Sequence, residues 1–337
     1  MYSLQTANQE KKGEINKAIE HYEKGIIGTP PSYLGIKVDL GSLYNQKQRF
    51  QDTINLLESL VTEKTKNTSA HLVLGAAYFG VRKTDMALKE FGIAQKLEPK
   101  KEGPYISLGL ALRQKGQYKE ALNQLTKAVN INPHSPVARF ELGETYSAMG
   151  SNDKALESYN ISLSLNKDPN YSKTVRLRIS EIYFQQKKFP QSISTCKEIL
   201  NSGTAIPRVY DLLGSAYQMS SQFDLAEKTF KEMCTKFPND PFPYYRLGLF
   251  YGYVKKYDPA IAQFKKALKL APEDPMVLKA LAVSYNRKGD GKKAIDTAKK
   301  LVEVTPKNAD TLFYLASLYQ DESNDKEAIG LYNSAIE

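Results

Sequence analysis

A Leu-Gly-x-x-Tyr pattern recurs along the chain in register with a 34-residue repeat, and this periodicity limits the possible folds more than any other feature. The pattern begins at Leu40, Leu74, Leu142, Leu213 and Leu247. A length of 337 residues would by itself suggest about two globular domains. The core of a repeat array, however, grows by the addition of units and has no single centre. We therefore expect a row of similar units, each packed on the next.

Each unit carries a second marked segment. An alanine follows the small residue of the first segment by twelve positions, and an aromatic residue often lies four positions further on. The alanines are Ala87, Ala121, Ala155, Ala226, Ala260, Ala294 and Ala328, and a proline closes many units, at Pro30, Pro99, Pro133, Pro238, Pro272 and Pro306. Two marked segments with a short polar stretch between them predict a pair of helices joined by a turn.

These residues resemble the tetratricopeptide repeat, a 34-residue helix-turn-helix unit whose sequence pattern contains Leu-Gly, Tyr, Ala, an aromatic residue and Pro. The resemblance covers essentially the whole chain, because the tyrosine at position 11 is present in eight of nine units and is replaced once, by Leu112. It implies an all-α fold, a right-handed superhelical α-solenoid of about ten tandem units in one array over residues 1–337. The units are placed to begin near residues 1, 34, 68, 102, 136, 173, 207, 241, 275 and 309.

Small residues inside the first helices predict close helix packing. Glycine is at position 8 in six of nine units, although glycine costs about 0.5–1 kcal/mol relative to alanine inside a helix. Its use there indicates that the backbone of the paired second helix comes close. The second helices are expected to begin with the capping residues Asp153, Asp224 and Asp258.

The sixth unit departs from this pattern. Three extra residues precede it, around residues 167–172, and it has Ser180, Ser192 and Cys196 where the other units favour small or aromatic core residues. The insertion is a candidate hinge, with a merely longer turn as the alternative. We expect the core of this unit to be looser or differently filled.

A partner-binding groove is predicted from side chains that point away from the packing face of the first helices, at positions 2, 5, 9 and 12 to 13 of each unit. In this family the first helices line a concave surface, and apolar or aromatic residues there suggest a partner. The alternative is that neighbouring first helices bury about half of them. One ligand mode of this family needs Lys at position 5 and Asn at position 9 of the same unit. It is not supported here, because the unit that has Lys279 at position 5 has Val283 at position 9. The candidate groove residues are Phe140, Glu144, Phe184, Arg208, Asp211, Phe242, Tyr245, Arg246, Leu249, Tyr253, Lys279 and Arg287.

The net charge of +10 is concentrated in one stretch. Residues 241–308 contain 14 Lys and Arg against 6 Asp and Glu. We expect most of these lysines on a solvated outer face, with acidic partners or a membrane surface as the alternative. Nucleic acid is not favoured, because no aromatic stacking motif is interleaved with the lysines.

The pattern of reactive residues does not favour an enzyme. The three histidines occupy different repeat positions, and each is expected at a surface or flank. The two cysteines, Cys196 and Cys234, are too few for a disulfide framework and are expected to fill core or edge space. Asp211 and Glu181 could meet across adjacent units, which is a weak signal for acid and base catalysis. We expect neither a cofactor nor a metal.

The sequence thus predicts a non-catalytic scaffold that binds a peptide or helix of a protein partner in its groove, in an assembly, adaptor or regulatory role. Two alternatives stay open: the substrate-recruiting region of a larger enzyme, and a basic scaffold for acidic partners through residues 241–308. The chain has no apolar run long enough to span a membrane. Both ends look cut, which suggests a fragment of a longer protein or an oligomer formed through uncapped ends. Localisation is open: cytoplasmic if Met1 is the native start, periplasmic or membrane-anchored if an upstream segment was removed.

Overall fold

The fold is all-α in a computed structural model that describes residues 2–26, 34–203 and 205–336, with side chains from residue 13 onwards. These residues form nineteen helices and no strand. The predicted closing proline Pro30 lies outside the described residues, as do Met1 and Glu337. Helix content of this kind confirms the predicted α-solenoid class of helix-turn-helix units.

A single long helix precedes four hairpins in the first part of the chain. The helices are α1 (Tyr2–Gly25), α2 (Leu34–Gln46), α3 (Phe50–Leu57), α4 (Thr68–Gly80), α5 (Thr84–Leu97), α6 (Glu102–Gln114), α7 (Tyr118–Ile131), α8 (Pro136–Ala148) and α9 (Asn152–Leu165).

Five further hairpins follow. Their helices are α10 (Pro169–Gln185), α11 (Phe189–Asn201), α12 (Pro207–Met219), α13 (Phe223–Lys236), α14 (Pro241–Tyr253), α15 (Tyr257–Leu270), α16 (Pro275–Lys288), α17 (Gly291–Val304), α18 (Ala309–Asp321) and α19 (Asp325–Ile336). Eight of the nine hairpins begin at the residue predicted from the repeat spacing.

The helices form two compact units, residues 1–175 and 176–337. In the first unit, each helix from α1 to α9 packs on the next, and α2, α4, α6 and α8 also contact one another in sequence. In the second unit, each helix from α11 to α19 packs on the next, and α14 contacts both α12 and α16. Within each unit, first helices of consecutive hairpins therefore form a shared wall.

Two predicted unit positions differ from the structure. The first predicted unit is one uninterrupted helix, α1, over its described residues and not a hairpin. The fifth hairpin, which corresponds to the sixth predicted unit, begins at Pro169, four residues before the predicted Lys173. The Asp168 carboxylate accepts a hydrogen bond from the Tyr171 backbone nitrogen at 2.8 Å, and proline suits the first helical position. These residues start the helix early, so most of the insertion becomes an extra turn of α10, and a hinge at residues 167–172 stays a prediction.

Glycine at position 8 seats an aromatic ring of the paired helix in four hairpins, whereas the sequence predicted a close approach of the two backbones. A β-carbon added at Gly214 would lie 2.7 Å from the Phe230 ring, and one at Gly248 would lie 2.5 Å from the Phe264 ring. Real β-carbons are almost never this close to a neighbouring atom, so these positions exclude a side chain. The glycines at positions 75, 143, 214 and 248 thus allow their hairpins to close around a buried aromatic, and Gly109 in the same way seats Leu125.

The α10–α11 hairpin, which is the sixth repeat unit, fills the equivalent space with hydrogen bonds. Ser180 Oγ lies 3.0 Å from Ser192 Oγ and 2.9 Å from Cys196 Sγ, and Ser192 Oγ donates to the Ser180 carbonyl oxygen at 3.1 Å. All three side chains are buried, and burial raises the pKa of the Cys196 thiol to about 11. The expectation of a differently filled core is met here by a small polar cluster.

The recurring tyrosine at position 11 ties one hairpin to the element before it. The hydroxyl of Tyr44 donates to Glu23 at 2.7 Å, and that of Tyr251 donates to Glu227 at 3.0 Å. Burial and the neighbouring carboxylate raise the pKa of Tyr44 to about 12. A ring in the core and a hydroxyl at the edge explain why tyrosine, and not phenylalanine, recurs at this position.

The predicted helix caps were wrong by two positions. The residues that cap the second helices are Ser151, Gln222 and Lys256, none of which makes a side-chain cap hydrogen bond. The predicted caps Asp153, Asp224 and Asp258 lie in the first helical turn instead. A carboxylate there still stabilises the helix through its dipole.

Candidate functional site

A groove opens between the first helices of two consecutive hairpins in the second unit. We call it the α14–α16 groove, and its volume is about 630 Å³. The lining side chains recur at helical spacing along both helices, so the groove runs parallel to the helix axes. It is lined by Tyr245, Leu249, Gly252 and Tyr253 of α14, Lys255 in the following turn, Tyr257 and Phe264 of α15, and Met276, Lys279, Ala280, Val283, Ser284 and Arg287 of α16.

Large apolar side chains in this groove meet solvent. Tyr253 is 55% exposed and Met276 is 62% exposed. Tyr245 is half-buried because its ring packs on Phe264 with ring centroids 6.1 Å apart, and this burial raises its pKa. A wall that combines fixed and exposed aromatics offers apolar surface to a second molecule.

The charged side chains of the α14–α16 groove are all cationic. Lys255, Lys279 and Arg287 contribute to its lining, and Lys279 and Arg287 are exposed. Within the described residues none of the three forms an ion pair. The carboxylate of Asp274 lies near one end of the groove, but it accepts hydrogen bonds from the backbone nitrogens of Met276 and Val277 as the cap of α16. The side chains that line the groove therefore carry a net positive charge.

A smaller cleft lies on the other side of α14. We call it the α12–α14 cleft; its volume is about 310 Å³, and it shares Leu249 and Tyr253 with the α14–α16 groove. The remaining lining residues are Phe184, Ser215, Gln218, Met219, Arg246 and Phe250. Because two side chains are common to both, the groove and the cleft are adjacent parts of one surface.

The charge in the α12–α14 cleft is already matched by partners within the protein. Arg246 donates through Nε to the carboxylate of buried Asp211 and through Nη2 to Ser215 Oγ at 2.8 Å. Arg208 then bridges two acids, with Nε donating to Glu181 at 3.1 Å and Nη1 3.6 Å from Asp211. Alternating charges thus hold α10, α12 and α14 together, and Asp211 and Glu181 meet through arginine, not as an acid pair.

Several lysines of the basic stretch lie over tyrosine rings. The ammonium groups of Lys265 and Lys293 are each 5.8 Å from the centre of the Tyr285 ring, and that of Lys299 is 5.7 Å from Tyr319. Such contacts stabilise by about 0.5–1 kcal/mol at exposed sites. These lysines therefore have a packing role on the outside of the hairpins.

One histidine is not at a surface or flank, contrary to the sequence expectation. His71 is fully buried, with Nδ1 2.6 Å from Glu90 Oε2 and Nε2 2.9 Å from the carbonyl oxygen of Thr65. His21 and His134 are exposed. Both ring nitrogens of His71 are used in holding the 62–67 loop to α5, so this residue is structural.

Residues 13–26, 34–203 and 205–336 contain no group of three or more His, Cys, Asp or Glu that could hold a metal ion. In the same part of the chain, no helix combines the length and the apolar character that crossing a bilayer requires. Cys196 is buried and Cys234 is half-buried, as expected for residues that fill core or edge space.

Family models match the hairpins that the structure describes. A "TPR repeat" model matches residues 109–150, a "Tetratricopeptide repeat" model matches residues 137–169, and a "Tetratricopeptide Repeats-Sensor" model matches residues 256–337. The chain is a tetratricopeptide-repeat (TPR) protein. Repeats of this type generally mediate contacts between proteins and are typically non-catalytic scaffolds.

Curated relatives of this TPR chain share part of its length. It is 30% identical over 101 residues to anaphase-promoting complex subunit 3 of Dictyostelium discoideum, and 24% identical over 221 residues to tetratricopeptide repeat protein 13 of Homo sapiens. It is 22% identical over 225 residues to the TPR repeat-containing protein YpiA of Bacillus subtilis. The matches cover 30%, 64% and 64% of this chain, and they span only 10%, 25% and 51% of the relatives.

The TPR structure brings together five of the twelve predicted groove residues in the α14–α16 groove: Tyr245, Leu249, Tyr253, Lys279 and Arg287. Phe184 and Arg246 line the adjacent cleft, together with the shared Leu249 and Tyr253. Arg208 and Asp211 belong to the charge network, and Phe242 is half-buried against the core of the second unit. Phe140 and Glu144 lie in the first unit, where Phe140 packs on Tyr159 and Glu144 accepts a hydrogen bond from the Tyr159 hydroxyl at 2.5 Å.

Sequence reasoning missed several lining residues of the TPR groove. Met276 occupies position 2 of its unit, which the groove pattern already includes, so it could have been found. Lys255 and Tyr257 could not be found in this way, because they come from the turn and from the second helix. Lys255 has a positive φ of 59°, so the turn geometry that brings its backbone to the groove is not evident from helical periodicity.

Proposed function

We propose that this chain is a non-catalytic scaffold that binds a segment of a protein partner in the α14–α16 groove. The observation that carries the proposal is an open groove, about 630 Å³ in volume, with exposed apolar side chains at Tyr253 and Met276. Exposed apolar surface inside a concave site is typical of a binding surface. The rigid helices on both sides mean that little ordering cost falls on this chain when a flexible segment binds.

An assembly or adaptor role is supported by the kind of relatives that the chain resembles. One of them is named as a subunit of the anaphase-promoting complex, although the match covers 10% of that protein. A scaffold that collects a partner through a preformed groove suits such a role. The role we propose involves no reaction catalysed by this chain.

The test uses the full chain and a library of random twelve-residue peptides displayed on phage. Peptides selected by the wild-type chain are labelled and titrated against a Tyr253→Ala/Met276→Ala variant. We expect at least roughly tenfold weaker binding by the variant, because two exposed anchors of the groove are shortened. Tyr245 is left intact, since its ring packs on Phe264 and its loss would also disturb the core.

A matched control separates the groove from apolar surface in general. Phe313 and Ile329 are 43% and 59% exposed on α18 and α19, outside the groove. A Phe313→Ala/Ile329→Ala variant should bind the selected peptides as the wild type does, and circular dichroism should show equal helix content for all three proteins. Selected peptides that bind the Tyr253→Ala/Met276→Ala variant undiminished would place the binding surface elsewhere.

A further inference from the structure

Over the part of the chain that the structure describes, the cations of the α14–α16 groove form no ion pair, whereas the cation of the α12–α14 cleft does. Lys255, Lys279 and Arg287 form no ion pair within the described residues, and Arg246 is bound to Asp211 and Ser215. Two adjacent parts of one surface thus differ in charge: the cleft is balanced and the groove is positive. A partner that covers both will be held by charge only over the groove.

The positions of the cations set a spacing. Lys279 and Arg287 are eight residues apart on α16, which places their α-carbons about 12 Å apart along the helix axis. An extended chain covers about 3.3 Å per residue. A segment that lies along the groove would therefore pass from one cation to the other in about four residues.

The floor between the two cations is apolar. Leu249 and Val283 line the groove together with the ring of Tyr245. In an extended chain, residues i, i+2 and i+4 point to the same side. Carboxylates at i and i+4 would reach the two cations while the side chain at i+2 points at the floor.

We propose that the α14–α16 groove binds an extended acidic segment, with Asp or Glu at two positions four residues apart and an apolar side chain midway between them. The proposal rests on the proposed function and specifies the chemistry of its partner. Lys255 lines the same groove, and the ion pair between Lys288 and Asp258 brings its turn to the Arg287 end of α16, which strengthens the preference for a carboxylate there. The apolar flank of the same segment would extend over Leu249 and Tyr253 towards the α12–α14 cleft. A carboxylate of the segment would gain little there, because Arg246 is already bound to Asp211.

The experiment sorts the phage-selected peptides by their dependence on the groove, which is read with the Tyr253→Ala/Met276→Ala variant. Among groove-dependent peptides we expect enrichment of the acid-x-apolar-x-acid pattern. The peptides are then synthesised with acetylated and amidated ends, so that side chains supply all carboxylates. Replacing both peptide acids by Gln should weaken binding to the wild-type chain roughly tenfold, as expected for two charge pairs at a partly exposed site.

Charge-neutral variants of the full chain complete the test. In a Lys279→Gln/Arg287→Gln variant, acid and amide forms of a peptide should bind within about twofold of each other, and raising the salt should matter less than for the wild type. A Lys300→Gln/Lys326→Gln variant loses the same charge from exposed positions outside the groove and should behave as the wild type does.

The outcomes separate the two proposals. Groove-dependent peptides without acid enrichment, or with an acid preference that survives in the Lys279→Gln/Arg287→Gln variant, overturn the acidic segment and leave the groove as a binding site. Binding that is lost on amidation of the peptide end also overturns it, in favour of a terminal carboxylate. Absence of any groove-dependent peptide overturns the proposed function itself.

Discussion

The ring of Tyr159 occupies the space where a side chain on Gly143 would be. A β-carbon added at Gly143 would lie 2.5 Å from Tyr159 Cε1 and 2.6 Å from Cδ1. Tyr159 is 1% exposed, and its ring contacts Phe140 with centroids 5.6 Å apart. The ring is enclosed and has little room to yield, so the closure of this hairpin depends on the absence of a side chain at position 143.

Gly143→Ala should therefore destabilise the protein, although alanine favours helices. We expect a loss of about 1–3 kcal/mol in the free energy of unfolding from overpacking, measured by urea denaturation. Gly92→Ala is the matched control, because a β-carbon at Gly92 of α5 meets nothing within 4 Å. That substitution should stabilise by about 0.5–1 kcal/mol. Equal effects of the two substitutions would contradict the close approach at Gly143.

The turns between paired helices also favour glycine, because one residue in each turn has a positive φ. Ser221 has a φ of 61° and Gly150 has a φ of 74° at equivalent positions of their hairpins. A left-handed conformation costs a non-glycine residue about 1–2 kcal/mol, and the extra flexibility of unfolded glycine offsets part of this. We expect Ser221→Gly to stabilise by about 0.5–1 kcal/mol and Gly150→Ser to destabilise by a similar amount. Thermal melts of both variants check the pair, and a change of the same sign in both would refute the explanation.

Buried His71 should be important for stability and not for binding. Its replacement by Leu would leave the Glu90 carboxylate and the Thr65 carbonyl oxygen without their partner. An unsatisfied, largely buried acceptor pair of this kind costs about 2–4 kcal/mol. His134→Leu changes an exposed ring and should stay within about 0.5 kcal/mol of the wild type. Chemical denaturation distinguishes the two, and a His71→Leu variant as stable as His134→Leu would show that the contacts of His71 are dispensable.

Alkaline pH should weaken the fold through its tyrosines. Burial raises the pKa of Tyr44, Tyr210 and Tyr314 to about 12, whereas tyrosine in an unfolded chain has a pKa of about 10. The folded protein then holds these protons more tightly, so this contribution to stability is complete below pH 10 and is lost as the pH rises towards 12.

The measurement is urea unfolding of the wild type and of a triple Tyr→Phe variant at those three positions, at about pH 9 and pH 11. The wild type should lose more stability between the two pH values than the variant, because phenylalanine cannot ionise. Lysine deprotonation affects both proteins equally and cancels in the comparison. An identical loss in both proteins would assign the alkaline effect to other groups.

The repeat spacing determined much of the fold from sequence alone. It placed the start of eight hairpins, because the Leu-Gly, Tyr and Ala positions each have one packing role that recurs in most units. It failed at Pro169, where local capping by Asp168 starts the helix early. It also failed at Asp153 and its equivalents, because helical periodicity does not fix the first residue of a helix.

The candidate groove could be predicted only in part. Tyr253 and Arg287 were found because both lie on groove-facing positions of first helices. The pairing of Arg246 with Asp211 was not foreseen, since position within a unit does not reveal which charges on neighbouring helices meet. Lys255 contributes to the groove from a turn, so helical periodicity cannot predict that it lines the groove.

The most direct test of the account is the position of a bound segment on the full chain. A groove-dependent peptide carrying a photoreactive leucine analogue at its apolar position is cross-linked to the protein, and the labelled residues are identified by mass spectrometry. We predict labels on α14 and α16 around Leu249, Tyr253 and Val283. Labels confined to other helices, with these three residues unmodified, would contradict the claim that the α14–α16 groove receives the partner.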